Sequence, residues 1–198
     1  MSVSETLDPS IQNLRISRCR FTIRAVDELR LCSLPGVQFS EGAGRFLNHL
    51  WCSLPELAAE FDRGQACQFC ILQRSCPYVR YWRSLGSDIR SHVVEAIGPA
   101  VVAQGDAFEF DLLLFGETID SLGAWIIALN DLGVHGIYRP GENEDRRRFS
   151  VLKVVERLPG GCSSEIYDGD NSRMSALPVG ASLQQWCESL PAVEGLIL

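Results

Sequence analysis

The sequence predicts an α+β fold, and three features of the chain support this prediction. Apolar and polar residues alternate at 14–25 and 107–115, as they do in half-buried strands. Residues 120–132 carry an apolar stripe at helical spacing, and 149–158 form another strand pattern. With a first helix and a weaker strand before residue 107, the order is β-α-β-β-α-β. That order is typical of a ferredoxin-like domain of the RNA-recognition type, in which both helices cover one face of four antiparallel strands.

The first strand and the first helix follow from residue spacing. One face of the strand is apolar, whereas the other carries the arginines Arg18, Arg20 and Arg24. A turn at Pro35 and Gly36 is then expected to lead to residues 42–52, where apolar residues recur at helical spacing. The chain therefore begins with a strand that has a basic outer face, followed by an amphipathic helix.

The second half of the order has clearer boundaries. The weak strand at 92–103 is interrupted by Gly98 and Pro99, which neither pack nor pair well in a strand. The strand at 107–115 is strongly apolar and is expected to be central. Asp120 is predicted to cap the second helix and Gly133 to end it.

Four cysteines have the spacing C-x14-C-x2-C-x5-C, and they are Cys52, Cys67, Cys70 and Cys76. The two-residue gap lets Cys67 and Cys70 reach one ion from a single turn, and four thiolates are typical of a structural zinc site. The Cys-Pro step at Cys76 also occurs in iron–sulfur loops, so a four-iron cluster is the alternative metal centre. Four packed, reduced thiols are the alternative without a metal. The sequence thus predicts a Cys-rich metal-binding loop inserted at 52–92.

The composition indicates a cytoplasmic protein. The chain has 198 residues, of which 46% are hydrophobic, and this suffices for one core. No apolar run approaches the roughly 18 residues of a membrane span, and Met1–Ser10 lacks the apolar centre of a signal peptide. The net charge of −7 argues against indiscriminate nucleic-acid binding, so a nucleic-acid contact would depend on local clusters of arginine.

Three regions are expected along the chain. Residues 1–13 are polar and predicted to be disordered, and 14–158 form the ferredoxin-like domain. Residues 159–198 begin with Gly, Ser and Asp and then offer a short helix at 182–189, so they are expected to form a linker and the start of a second domain.

Several segments resemble the CRISPR-associated endoribonucleases of the RAMP superfamily, which process the precursor of guide RNA. The segment GVQFSEGAGRFLNHLWC (36–52) resembles the Gly-rich start of the first helix in that family, and CQFCILQRSCPYVRYW (67–82) resembles the cysteine cluster that follows it. The segment FEFDLLLFGETIDSLGAWIIALNDLGVHGI (108–137) resembles the strand, turn, helix and Gly-rich loop of the same proteins. The segment RRRFSVLKVV (146–155) resembles their closing strand. The resemblance covers residues 14–158.

The resemblance implies an endoribonuclease that needs no metal for catalysis and cleaves CRISPR repeat RNA. His49 lies one helical turn after Arg45, so His49 is the candidate for proton transfer and Arg45 for phosphate stabilisation. A polar helix-face histidine or a metal ligand is the alternative for His49. The Arg-Gly of the family corresponds to Ser40-Glu41 here, and its histidine at the start of the helix corresponds to Arg45.

These departures favour a second hypothesis, a catalytically silent RAMP subunit that binds guide RNA or a partner subunit in a CRISPR effector complex. A third hypothesis is a zinc-stabilised protein-interaction domain. The candidate RNA-binding residues are the strand residues Arg18, Arg20 and Arg24 and the loop residues Gly136, Arg139, Arg146, Arg147 and Arg148. The alternative is that both sets are solvated charges, with the loop arginines paired to the acidic residues at 142–145.

Overall fold

The computed structural model describes residues 9–52, 67, 70–76, 78–79, 82, 91–137 and 146–189. Its helices are α1 (Pro9–Gln12), α2 (Pro35–Trp51), α3 (Leu122–His135) and α4 (Leu183–Ser189). Its strands are β1 (Arg15–Ala25), β2 (Leu29–Arg30), β3 (His92–Glu95), β4 (Val101–Val102), β5 (Ala107–Phe115), β6 (Phe149–Arg157), β7 (Ser163–Asp168), β8 (Arg173–Met174) and β9 (Ala181–Ser182). No helix in the described part is both long and apolar enough to cross a membrane.

The main sheet is antiparallel and has the order β3-β5-β1-β6-β7-β8, with β9 paired to the start of β1. The four predicted strands correspond to β1, β3, β5 and β6. They lie side by side in the sheet in the order second, third, first, fourth. β2 and β4 form a separate two-stranded ribbon. The fold is thus a mixed α+β fold built on an antiparallel sheet.

The helices α2 and α3 pack against each other and cover one face of the sheet. Phe39 of α2 stacks on Phe110 of β5, with ring centroids 4.6 Å apart, and Trp125 of α3 is almost fully buried. Phe21 of β1 stacks on the same Phe110 at 5.2 Å, so the alternating apolar residues of the strands face this layer. We call the opposite face of the sheet, which carries Arg18 and Arg20, the outer face.

The predicted strand at 107–115 is confirmed to the residue, and the closing strand is confirmed at Phe149–Arg157. The first helix begins at Pro35 instead of residue 42, because proline is well suited to the first turn of a helix, where its missing N–H is not needed. The predicted turn at Pro35 and Gly36 was wrong for this reason. The weak strand at 92–103 divides into β3 and β4, as its Gly-Pro interruption indicated.

The boundaries of the second helix differ from the prediction. A 3₁₀ turn at Gly116–Ser121 precedes α3, so Asp120 does not cap the helix. Gly133 lies inside α3, where an added Cβ would stand 2.4 Å from the carbonyl oxygen of Phe149. The helix ends instead at Gly136, which has a φ of 81°. Gly133 therefore permits close packing of helix against strand, and Gly136 supplies the left-handed turn.

The region expected to be a linker continues the sheet within its described part, 159–189. β7 pairs with β6, and the chain then returns through β9 to the beginning of β1. The predicted short helix is confirmed as α4. Residues 190–198, where the second domain was expected to begin, and residues 1–8 of the predicted disordered N-terminus lie outside the described residues.

Candidate nucleic-acid interface

A groove of about 570 Å³ lies on the outer face of the sheet. Its floor is formed by alternate residues of β1 and β6 together with one residue of β5, and its end wall is formed by the loop after β6 and by α4. The lining residues are Arg18, Arg20, Thr22, Glu109, Lys153, Val155, Arg157, Leu158, Gly161, Cys162, Ser163 and Trp186. Two of the three predicted β1 arginines thus line one groove, whereas Arg24 is exposed beyond its edge.

Asp111 of β5 holds the two β1 arginines in place. Its side chain is 4% exposed, and its oxygens accept hydrogen bonds from Nε of Arg18 at 2.7 Å and from Nε and Nη2 of Arg20 at 2.7 and 3.0 Å. Burial alone would raise the pKa of Asp111, but the hydrogen bonds from Arg20 and Arg18 outweigh it, and the pKa lies below its ordinary value. Asp111 is therefore ionised at neutral pH and fixes both guanidinium groups.

The cations of β6 have a different environment. Lys153 and Arg157 are exposed, and no ion pair of either side chain is found among the described residues. They stand opposite Thr22 and Arg18 of β1 in the sheet register. Exposed cations whose charge is not neutralised by a partner are the groups that phosphate oxygens would contact.

The end wall is tied to the first residues of β1. The indole Nε1–H of Trp186 donates to the carbonyl of Ile16 at 3.3 Å. Behind this wall, the buried carboxylate of Glu156 accepts hydrogen bonds from the hydroxyl of Ser17 at 2.7 Å and from the amides of Val179 and Gly180, each at 2.9 Å. Glu156 therefore fastens the segment that leads into β9 and α4.

The described arginines of the predicted loop, Arg146, Arg147 and Arg148, do not line this groove. Arg148 donates to Asp27 through its backbone N–H and its guanidinium, and these bonds lower the pKa of Asp27. Arg147 pairs through its backbone with Ile137. An added Cβ at Gly136 would approach the Cβ of Arg146 to 2.9 Å, so Gly136 allows the two ends of the loop to meet. Arg139 lies outside the described residues.

The predicted catalytic pair lies in the helix layer. Arg45 and His49 belong to α2, which packs on the face of the sheet opposite to the groove. Arg45 is exposed, and the side chain of His49 lies outside the described part of the chain. The helix places the two residues one turn apart as predicted, but it does not bring Arg45 into contact with the groove.

Within the described part of the chain, the four cysteines of the predicted metal loop are not joined in disulfide bonds. Cys67 is buried in the same apolar core as Tyr78, whereas Cys52, Cys70 and Cys76 are half-buried. Among the described residues, no three side chains of the ligating types are grouped closely enough to hold a metal ion. The donor set is therefore not assembled there, and zinc or cluster binding stays a prediction.

One buried donor stands beside this region. The amide nitrogen of Asn48 is buried and has no hydrogen-bond partner within the described part of the chain. Asn48 precedes Cys52 by one helical turn. The backbone N–H of Cys52 donates to the backbone carbonyl of Asn48 at 2.7 Å. A buried N–H without a partner is costly, and a neighbouring thiolate sulfur would be a suitable acceptor.

Four functional candidates escaped the sequence prediction: Asp111, Lys153, Arg157 and Trp186. Asp111 interrupts an apolar run, and Lys153 interrupts a β-branched one, so each carried a signal of an outward-facing position. The position of Trp186 depends on the return of the chain to β1, which no local pattern indicates. The groove is therefore formed by strand pairing between segments that are distant in the sequence.

Comparisons with known proteins place this fold in a family. One structural match is a chain in the crystal structure of the Csm3-Csm4 subcomplex in the type III-A CRISPR-Cas interference complex. The two chains share 12% sequence identity, the match covers 89% of this chain and 96% of that chain, and the TM-score is 0.44. No curated protein matches the chain. A family model described as AF_1859_N, N-terminal domain, matches residues 14–179. Because this match covers most of the sequence, the chain belongs to the AF_1859_N family.

Proposed function

We propose that this protein is a RAMP-type CRISPR protein whose ferredoxin-like domain binds CRISPR RNA through the groove on the outer face. The sequence segments that resemble the RAMP endoribonucleases support the family part of the proposal. The strand order and the two helices on one face support the ferredoxin-like assignment. A cytoplasmic location and association with other CRISPR effector subunits belong to the same proposal.

The observation that carries the proposal is the set of four cations along one groove. Arg18 and Arg20 are held by Asp111, and on the adjacent strand β6 the exposed Arg157 stands opposite Arg18 and the exposed Lys153 opposite Thr22. Fixed guanidinium groups lose little conformational freedom on binding, so they are well suited to phosphate. Arg18 also pairs with Glu95 and Arg20 with Glu109, so the groove cations that have no ion pair among the described residues are Lys153 and Arg157.

Cleavage of the bound RNA is a separate question from binding. Arg45 and His49 lie on α2, across the sheet from the groove. This separation favours the second hypothesis, in which the described domain holds guide RNA and does not cut it. Cleavage by His49 would require the RNA to extend from the groove to the helix layer, and no metal would take part in that reaction.

The test uses labelled repeat RNA without divalent metal, and binding and cleavage are followed in one gel. The Arg18→Ala, Arg157→Ala double variant should weaken binding and reduce its dependence on salt, because two phosphate contacts are lost. An unchanged affinity would refute the groove as the RNA site. His49→Ala should abolish any cleavage and leave binding nearly unchanged, and equal cleavage by the variant would exclude His49 as the catalytic group.

For the cysteine segment we propose a structural zinc site formed by Cys52, Cys67, Cys70 and Cys76, with an iron–sulfur cluster as the alternative. The buried Asn48 amide, which has no acceptor among the described residues and lies one helical turn before Cys52, supports this proposal, because a bound thiolate within reach would give it an acceptor. Metal analysis of the purified protein tests the proposal and distinguishes zinc from iron. The third hypothesis, a protein-interaction domain, would gain support if the protein held zinc and bound no RNA.

A further inference from the structure

We propose that Trp186 stacks on an unpaired base at the end of the groove, so that the groove accepts single-stranded RNA. The inference rests on the proposed function and deepens it, since it names the kind of RNA and the residue that selects it. It depends on three features of the described residues, which are the polar floor, the anchored indole and the flanking carboxylates.

The floor of the groove offers charge but no ring. Four aromatic residues of the central strands, Phe21, Phe108, Phe110 and Phe149, are buried on the helix side of the sheet, and Phe115 at the end of β5 is half-buried and does not line the groove. Among the residues that line the groove, Trp186 is the only aromatic one. RNA-binding sheets commonly carry stacking aromatics on their strands, whereas the ring among the described residues that line this groove belongs to the end wall.

The indole is held in a defined place. Its Nε1–H donates to Ile16, which precedes Arg18 by two residues on β1, so the ring lies at the Arg18 end of the groove. α4 begins with a reciprocal pair of hydrogen bonds, in which the amide of Ser182 donates to Gln185 at 2.8 Å and the amide of Gln185 donates to the Ser182 hydroxyl at 3.2 Å. A stacking residue on an anchored helix loses little freedom when a base binds.

The charges define one track for the phosphates. Alternate residues of a strand are about 6.6 Å apart, a separation similar to that of successive phosphates in an extended single strand. Arg18 and Arg20 have this spacing on β1. Carboxylates stand on both sides of these cations. Glu109 of β5 lies next to β1, opposite Thr22, and Glu165 of β7 lies next to β6, opposite Val155. A duplex would bring its second phosphate strand against these carboxylates, so it should bind more weakly than a single strand.

The experiment measures binding of the full chain to a short, unstructured, fluorescein-labelled RNA and to a series in which one nucleotide at a time is abasic. We expect one abasic position to weaken binding to the unaltered protein by about 5- to 150-fold, the range of one base–aromatic stack. Trp186→Leu should bind the intact RNA correspondingly less well and should be insensitive to that abasic position. Trp186→Phe keeps a ring but loses the bond to Ile16, so it should retain most of the sensitivity.

Two results would overturn the inference. One is that Trp186→Leu responds to every abasic position as the unaltered protein does, which would make the role of the residue structural. The other is that a matched RNA duplex binds as tightly as the single strand. The Arg18→Ala, Arg157→Ala double variant distinguishes a failure of the stacking inference from a failure of the proposed RNA-binding groove. If the double variant binds RNA normally, the groove itself is refuted, whereas loss of binding with an unchanged abasic profile in Trp186→Leu refutes the stacking role alone.

Discussion

Replacing Asp111 with asparagine tests whether a buried carboxylate organises the basic groove. The substitution keeps the size of the side chain and removes its charge. Arg18 and Arg20 would then lose the acceptor that holds both guanidinium groups. We expect the free energy of unfolding to fall and the two arginines to become less ordered.

The size of the effect follows from the contacts. Asp111 accepts three hydrogen bonds from charged donors, and such bonds contribute about 1.5–3 kcal/mol each when fully buried. The carboxylate side chain is only 4% exposed, but those of Arg18 and Arg20 are 36% and 26% exposed, so water would rehydrate the arginines in the variant. The amide oxygen of asparagine would still accept one bond. We therefore expect a loss of about 2–3 kcal/mol, below the range for a fully buried ion pair.

Urea unfolding at several pH values measures this loss. Because the folded pKa of Asp111 is lowered, its ionisation stabilises the protein fully above the pKa of the unfolded chain, which is about 3.9. The contribution disappears as the pH falls through the lower, folded pKa. The difference between the two proteins should therefore be constant near neutral pH and should shrink below about pH 4.

Glu109→Gln is the matched control. Glu109 lies two residues away on the same strand and contacts the same Arg20 at 3.3 Å, but its side chain is 49% exposed. Its replacement should cost less than about 1 kcal/mol. Equal losses for the two variants, or a loss for Asp111→Asn that does not change with acid, would refute the argument that Asp111 is the central anchor.

Three further predictions follow from the fold and the sequence. Cys67→Ser should lower metal content and melting temperature together, whereas Cys162→Ser, an exposed cysteine outside the array, should change neither; an unchanged melting temperature for Cys67→Ser would refute a structural metal. Gly133→Ala should lower the free energy of unfolding, measured in urea, by about 1–3 kcal/mol because its Cβ would meet a backbone oxygen. Gly123→Ala in the same helix is the control. The nearest atom to its Cβ is 3.7 Å away, so this change should be neutral or stabilising by up to about 1 kcal/mol. Charge reversal of the arginines at 146–148 should weaken RNA binding and flatten its salt dependence if the loop holds phosphates, and unchanged binding would leave them as solvated charges.

The sequence was sufficient to predict the elements whose local pattern agrees with their burial. β5 and β6 were found because alternating and β-branched residues fit a pleated sheet with one covered face. Glycines of α2 and α3 were assigned the wrong role. A glycine in a turn or at a helix end cannot be distinguished by sequence from a glycine that allows close packing inside a helix. Gly36 and Gly133 are of the second kind, since an added Cβ at either position would meet a backbone oxygen of a neighbouring strand.

The candidate site could be predicted only in part. The alternation of β1 predicted that Arg18 and Arg20 lie on the face away from the core, and the structure places both on that face with partly exposed side chains. Their pairing with Asp111, however, depends on the register of two strands that are about ninety residues apart in the chain. Trp186 reaches the groove through the return of β9 to β1, a contact across 170 residues of sequence. Such contacts are set by the global fold and leave little local trace.

Two buried carboxylates organise the groove from opposite faces of the sheet. Asp111 fixes the arginines of the floor, and Glu156 fixes the segment that carries α4 and therefore Trp186. Counted by charge alone, both would be expected to weaken binding of a polyanion. In the folded protein Arg18 and Arg20 neutralise the charge of Asp111, and Glu156 lies on the face of the sheet away from the groove, so both residues order the groove at little cost in repulsion. For the proposed RNA binding, the arrangement of charges on the outer face is therefore a better guide than the net charge of −7.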